Sequence, residues 1–121
     1  MTERQHRDVA RGGWFRLSLA EQFGNIGSEI SRADRWSTKN PDTARAALYR
    51  ALELIDLTLD DPRHRQSFPR LREIARTREV VVDFFAGSNE YGSTSASLQK
   101  YFDHFALAAR NVRRGVNVTT A

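Results

Sequence analysis

Glu53 and Asp56 stand three residues apart in a stretch patterned as a helix, which places two carboxylates on adjacent turns, an arrangement that helps to hold magnesium. One pair alone leaves such an ion short of ligands, and its place beside an apolar stripe also fits a solvated helix flank. Arg78 carries a different signal. At 100° per residue it falls on the same side as Ile74, Val81 and Phe85, so its guanidinium must escape along its stem or meet a carboxylate inside the fold. Glu29 and Asp56, at the edges of their own apolar stripes, are the expected partners. Glu29, Asp56 and Arg78, with Glu53, thus form the candidate polar cluster, either a buried structural ion pair or an anchor for a nucleotide-like ligand.

Other chemistries lack their residues. The 121-residue chain has no cysteine, so disulfides, thiolate metal sites and cysteine nucleophiles are excluded. A di-metal helical bundle needs Glu-x-x-His pairs on two helices and this chain does not supply two, His104 has no second histidine at metal spacing, and Ser18 and Ser28 have no histidine base nearby in sequence. No metal site and no cofactor are therefore expected. The turn Asn89-Glu90-Tyr91-Gly92 is unusually polar and aromatic for a helix connection. It reads as a loop pinned by its own hydrogen bonds or as a recognition loop.

The net charge of +4 comes mainly from arginine and is concentrated at the ends, with Arg4, Arg7, Arg11 and Arg16 at the start and Arg110, Arg113 and Arg114 near the finish. Basic ends of this kind suit contact with phosphate, which makes a nucleic-acid-associated role one reading. No apolar run reaches the roughly 20 residues that span a bilayer, and the first residues lack the apolar core of a signal peptide. A cytoplasmic protein without a membrane segment is the expectation.

Four amphipathic helices must position these groups. The first runs through Leu17–Trp36 with Leu19, Phe23, Ile26, Ile30 and Ala33 on one face. Ser18 and Glu21 open it as a capping box, and Gly24 and Gly27 lie in its interior. Each glycine there costs about 1 kcal/mol, so close approach of a neighbour is the expected compensation. The second spans Pro41–Asp60, capped by Asn40, with Ala44, Ala47, Leu48, Ala51, Leu52, Ile55 and Leu59 inward. Leu54 and Leu57 fall off that stripe, so this helix is buried on two sides or meets another subunit.

A charged loop over residues 63–67 leads to a third helix over Pro69–Phe85, and a fourth over Ser95–Arg114 presents Leu98, Tyr101, Phe102, Phe105, Ala109 and Val112. Arg72, Arg76, Glu79 and Asp83 form a row read as solvated surface, and Trp14 and Trp36 bracket the first helix as plugs of the core. Residues 1–13 and 115–121 are expected to be flexible. The whole reads as one all-α domain, an up-down-up-down four-helix bundle.

The segments GNIGSE, ALELIDLT and NEYGS, within a match covering Trp14 to Asn111, resemble a family of small bacterial helical proteins with no assigned activity. The resemblance implies a helical fold and carries no catalytic residue. A looser, topological likeness is to the four-helix substrate-binding partners of minimal nucleotidyltransferases and to HEPN ribonucleases. His6, His64 and His104 all lack the upstream arginine of the HEPN signature.

The function these readings favour is a non-enzymatic interaction or accessory protein. It would self-associate or bind a protein partner through a second apolar line of Leu54, Leu57 and Leu107. The alternatives are nucleic-acid association through the basic termini and nucleotide binding by the polar cluster.

Overall fold

The computed structural model of the chain describes residues 11–113, with side chains as far as Arg110. These residues are helical and hold no strand; Val80-Val81-Val82 lies inside a helix despite its β-branched run. Five helices follow a helical turn over residues 11–14: α1 (Leu19–Trp36), α2 (Pro41–Asp60), α3 (Pro62–Arg65), α4 (Phe68–Ala86) and α5 (Ser95–Arg113).

The boundaries follow from capping chemistry. Ser18 accepts from the Glu21 amide at 3.1 Å while Glu21 accepts from the Ser18 amide at 3.1 Å, so each side chain satisfies the other residue's orphan backbone donor. Asn40 accepts from the Thr43 amide, and Pro41 occupies the first position of α2, where a missing N–H costs nothing. Ser67 caps α4, and Thr94 and Ser97 exchange hydrogen bonds at the start of α5.

The stripes then dictate the packing. α1 buries Phe23, Ile26, Ile30 and Ala33 against α2, whose facing residues Ala47, Ala51 and Ile55 are small enough to let the axes approach. The other side of α1 receives α5, and α2 also packs on α4, so α1 and α2 are the shared elements. Phe23 sits in an aromatic cluster, with ring centroids 4.6 Å from Phe105, 6.1 Å from Phe102 and 6.3 Å from Tyr101. Buried side chains of this size each contribute about 1.5–3 kcal/mol by leaving water.

The two glycines of α1 behave differently. A Cβ on Gly27 would lie 2.5 Å from the Cβ of Phe102, whereas one on Gly24 would touch Ala106 at an ordinary 3.5 Å. Close approach therefore requires glycine only at residue 27, and the neighbour is α5.

Several sequence expectations change. Leu54 and Leu57 are half-buried and packed against the core, because α2 lies between α1 and α4 and needs apolar side chains on two sides. Within the loop expected over residues 63–67, residues 63–65 belong to α3 and bury His64; residues 11–13, expected as flexible, belong to the turn that delivers Trp14 into the core. Trp36 is exposed and plugs nothing. Residues 1–10 and 114–121 lie outside the described residues, as do the side chains of Val112 and Arg113. No helix among the described residues is long and apolar enough to cross a membrane.

Gly27→Ala is expected to destabilise the protein by about 1–3 kcal/mol, because Phe102 cannot retreat without disturbing Phe23. Gly24→Ala is expected to be neutral or to stabilise by up to about 1 kcal/mol through helix propensity. Urea unfolding followed by circular dichroism measures both.

Candidate functional site

α4 and α5 are successive in the chain, yet they do not pack along their lengths. Between them lies a cleft of about 360 Å³, with Val80, Val81, Leu98 and Phe102 as its apolar bed and Glu73, Arg76, Thr77, Ser93, Ser97 and Tyr101 supplying polar atoms. The volume lies in the range of small-molecule and side-chain pockets.

One chain of hydroxyls bridges it. The Thr77 hydroxyl donates its single hydrogen to the Glu73 carbonyl at 2.9 Å, so the Tyr101 hydroxyl, 2.9 Å from Thr77 Oγ1, must be the donor in that pair. Tyr101 also stands 3.4 Å from the Glu73 carboxylate. Burial pushes the Tyr101 phenol up from its ordinary pKa, and the Glu73 charge pushes the same way. It remains a neutral donor at physiological pH. The cleft can thus hold an apolar group and orient a polar one at its edge.

The end of the cleft near Ser93 is closed by the Asn89–Gly92 turn, whose shape is set by Asp83. One Asp83 oxygen accepts from the Glu90 amide at 2.8 Å and the other from the Tyr91 amide at 3.0 Å, while its carbonyl takes the amides of Gly87 and Asn89. Asn89 adopts a left-handed φ of 56° and exchanges side-chain hydrogen bonds with the Ser93 backbone. Tyr91 donates to Glu79, and the Arg76 guanidinium stands 6.0 Å over its ring. The hydrogen bond and charge of Glu79 raise the Tyr91 pKa. Three members of the row expected to be plain solvated surface, Arg76, Glu79 and Asp83, therefore hold the turn.

The expected polar cluster is divided. Arg78 does meet Asp56, at 2.8 Å, but the two side chains are 40% and 55% exposed: the arginine stem carries its charge out to the α2–α4 flank, so this is no buried pair. Glu53 is exposed, and Glu29 pairs with Arg32 of its own helix at 3.6 Å instead of reaching Arg78. Leu107 is exposed and His104 lies on the surface against Phe105. Among the described residues, no three His, Asp or Glu side chains converge to hold a metal ion.

The buried polar residues are others. The Gln22 amide nitrogen donates to the Trp14 carbonyl and to Asp61 Oδ2, both at 3.0 Å, so its oxygen must accept from His64 Nε2 at 2.7 Å. That fixes the proton on Nε2 and leaves His64 Nδ1 buried without a partner. Arg63 clamps Asp61 through Nε and Nη2, and the Trp14 indole donates to Thr58 at 2.9 Å. Gln22 occupies a core position of the first helix between Leu19 and Ile26, and a polar residue there was the signal that could have exposed the knot.

Burial pushes the Asp61 carboxyl up, but hydrogen bonds from Arg63 and Gln22 outweigh it and hold its pKa down at about 2. Burial lowers His64, overriding the attraction of Asp61. Set against protein-family models, curated proteins and solved structures, the chain finds no match in any of the three comparisons.

Both depressed groups stabilise the fold most at higher pH. The His64 contribution is complete above its ordinary value of 6.5 and is lost as pH falls through its lower folded value; that of Asp61 is complete above 3.8 and is lost towards 2. Stability is therefore expected to decline in two windows on acidification, the lower one by roughly 2 kcal/mol. Urea unfolding across pH in wild type and His64→Gln checks this, with the upper window absent from the variant.

Proposed function

We propose that this chain is a non-enzymatic interaction protein whose four long helices form an up-down-up-down bundle left open between α4 and α5. The cleft there receives apolar side chains from a second copy. The observation that carries this reading is the cleft itself: Val80, Val81, Leu98 and Phe102 line a space that the described helices leave unfilled. Leu107, 47% exposed on the outer side of α5, lies outside the cleft lining and takes no part in it. Leu54 and Leu57 take a smaller part than their sequence spacing suggests, since both already pack against the core. The resemblance carried by GNIGSE, ALELIDLT and NEYGS agrees with a bundle and brings no activity. The lack of cysteine is compatible with a cytoplasmic setting.

Asn89, Glu90 and Tyr91 would act at the rim of this interface, as a recognition element held rigid by Asp83. The split of Glu29 from Asp56 and Arg78 gives a nucleotide-binding cluster no support.

Sedimentation velocity over a wide concentration range tests the proposal. The wild type is expected to dimerise reversibly, and Val80→Arg, which alters a half-exposed lining residue, to weaken association at least tenfold, or about 1.4 kcal/mol, with helix content unchanged. A wild type that stays monomeric throughout removes the proposal.

A further inference from the structure

One end of the helical stack gathers arginine. The register of α1 on α5, with Gly27 against Phe102 and Gly24 against Ala106, is antiparallel, so the start of α1 and the finish of α5 share an end. Gln22 and Trp14 tie the finish of α2 to that end through Asp61 and Thr58, and α3 leads directly into the start of α4. Arg11, Arg16, Arg63, Arg65, Arg70 and Arg72 consequently lie there. Two are neutralised: Arg11 pairs with Asp60 at 3.1 Å and Arg63 with the buried Asp61. Arg16, Arg65, Arg70 and Arg72 have no carboxylate within ion-pair distance among the described residues; Arg65 reaches only the Leu59 carbonyl, at 3.3 Å.

Phe68 stands in the middle of this group. It is 72% exposed, a large ring in water at the first position of α4, with Arg65 and Arg70 close by in sequence and Arg72 one turn further along the same face. The first turn of α4 has no acidic residue, whereas α1 and α2 carry Glu21 and Asp42 there. Cations at a helix start oppose the macrodipole, so this placement costs stability when the surface is bare and suits an anion laid across it.

We propose that this end binds single-stranded nucleic acid, with Arg65, Arg70 and Arg72 contacting backbone phosphates and a base stacked on Phe68. Planar guanidinium groups pair with phosphate through two parallel hydrogen bonds, and an isolated exposed ring within a cationic fringe is how single strands are held without sequence readout. An anionic membrane is a poorer fit, because Phe68 is a single exposed ring flanked by Gln66, Ser67 and Pro69, short of the broad apolar face that insertion needs. None of Arg65, Phe68, Arg70 and Arg72 lines the α4–α5 cleft, so the two proposals stand or fall separately.

Fluorescence polarisation with a labelled oligothymidylate of about 16 nucleotides tests it, beside a duplex of equal length and phosphatidylserine vesicles. Binding of the single strand is expected, weakening with salt, and Arg70→Gln and Arg72→Gln should each lower the log–log salt slope by about 0.7. Phe68→Ala and Phe68→Leu should both weaken binding about tenfold with the salt slope and the circular dichroism spectrum unchanged, since Leu retains the apolar bulk but cannot stack. Four results overturn the proposal: no single-strand binding at low salt, equal or tighter binding of duplex, capture by vesicles in place of the oligonucleotide, or Phe68 variants that bind like wild type.

Discussion

The Gln22 carboxamide is the point on which the described fold depends. It is fully buried, and its donors and acceptor are taken by two other stretches of chain: the Trp14 carbonyl ahead of α1, and Asp61 with His64 at the cap and within α3. A buried amide left without partners costs more than a hydrogen bond contributes, so both stretches must reach α1 together or not at all. Asp61 adds a second layer, because it caps α3 through the Arg63 amide while its charge is held by the Arg63 side chain. Arg63 in turn donates to the Leu17 carbonyl, next to the Ser18 cap of α1. Start and finish of the first helical hairpin are therefore one hydrogen-bonded unit, and the hydrophobic stripes above it have their register set.

From that unit the asymmetry of the molecule follows. α1 and α2, joined at this base and packed through phenylalanine, alanine and isoleucine, form a close pair that carries one further long helix on each partner. α5 lies against α1 because Gly27 admits Phe102, and α4 lies against α2. Each outer helix satisfies most of its stripe on the central pair, so neither is compelled to meet the other. The Thr77–Tyr101 hydrogen bond and the Asn89–Gly92 turn suffice to keep them in line.

Helix positions were legible in the sequence because caps and stripes are local: Ser18 with Glu21, Asn40 with Pro41, and the spacing of Phe23, Ile26 and Ile30 each announce themselves within a few residues. The glycine at residue 27 was legible as a close approach, though which of the two glycines mattered depended on the register with α5. The side-chain clusters were harder to read. Arg78 found its carboxylate, but whether a long side chain stays inside or turns outward is decided by the neighbouring helix. Four residues after a proline carry no periodicity, so nothing local marks His64 as helical, and its burial is set by Gln22, 42 positions away. Asp83 looked like one charge in a solvated row; its role emerges only when the turn that follows folds back over it.

The Asp83 clamp fixes one end of the gap between the outer helices. At the turn, two backbone amides on one carboxylate and a left-handed Asn89 leave little freedom, whereas farther along a hydroxyl contact spans the gap. Any widening would then be angular, pivoting about the turn, with displacement growing in proportion to distance from it.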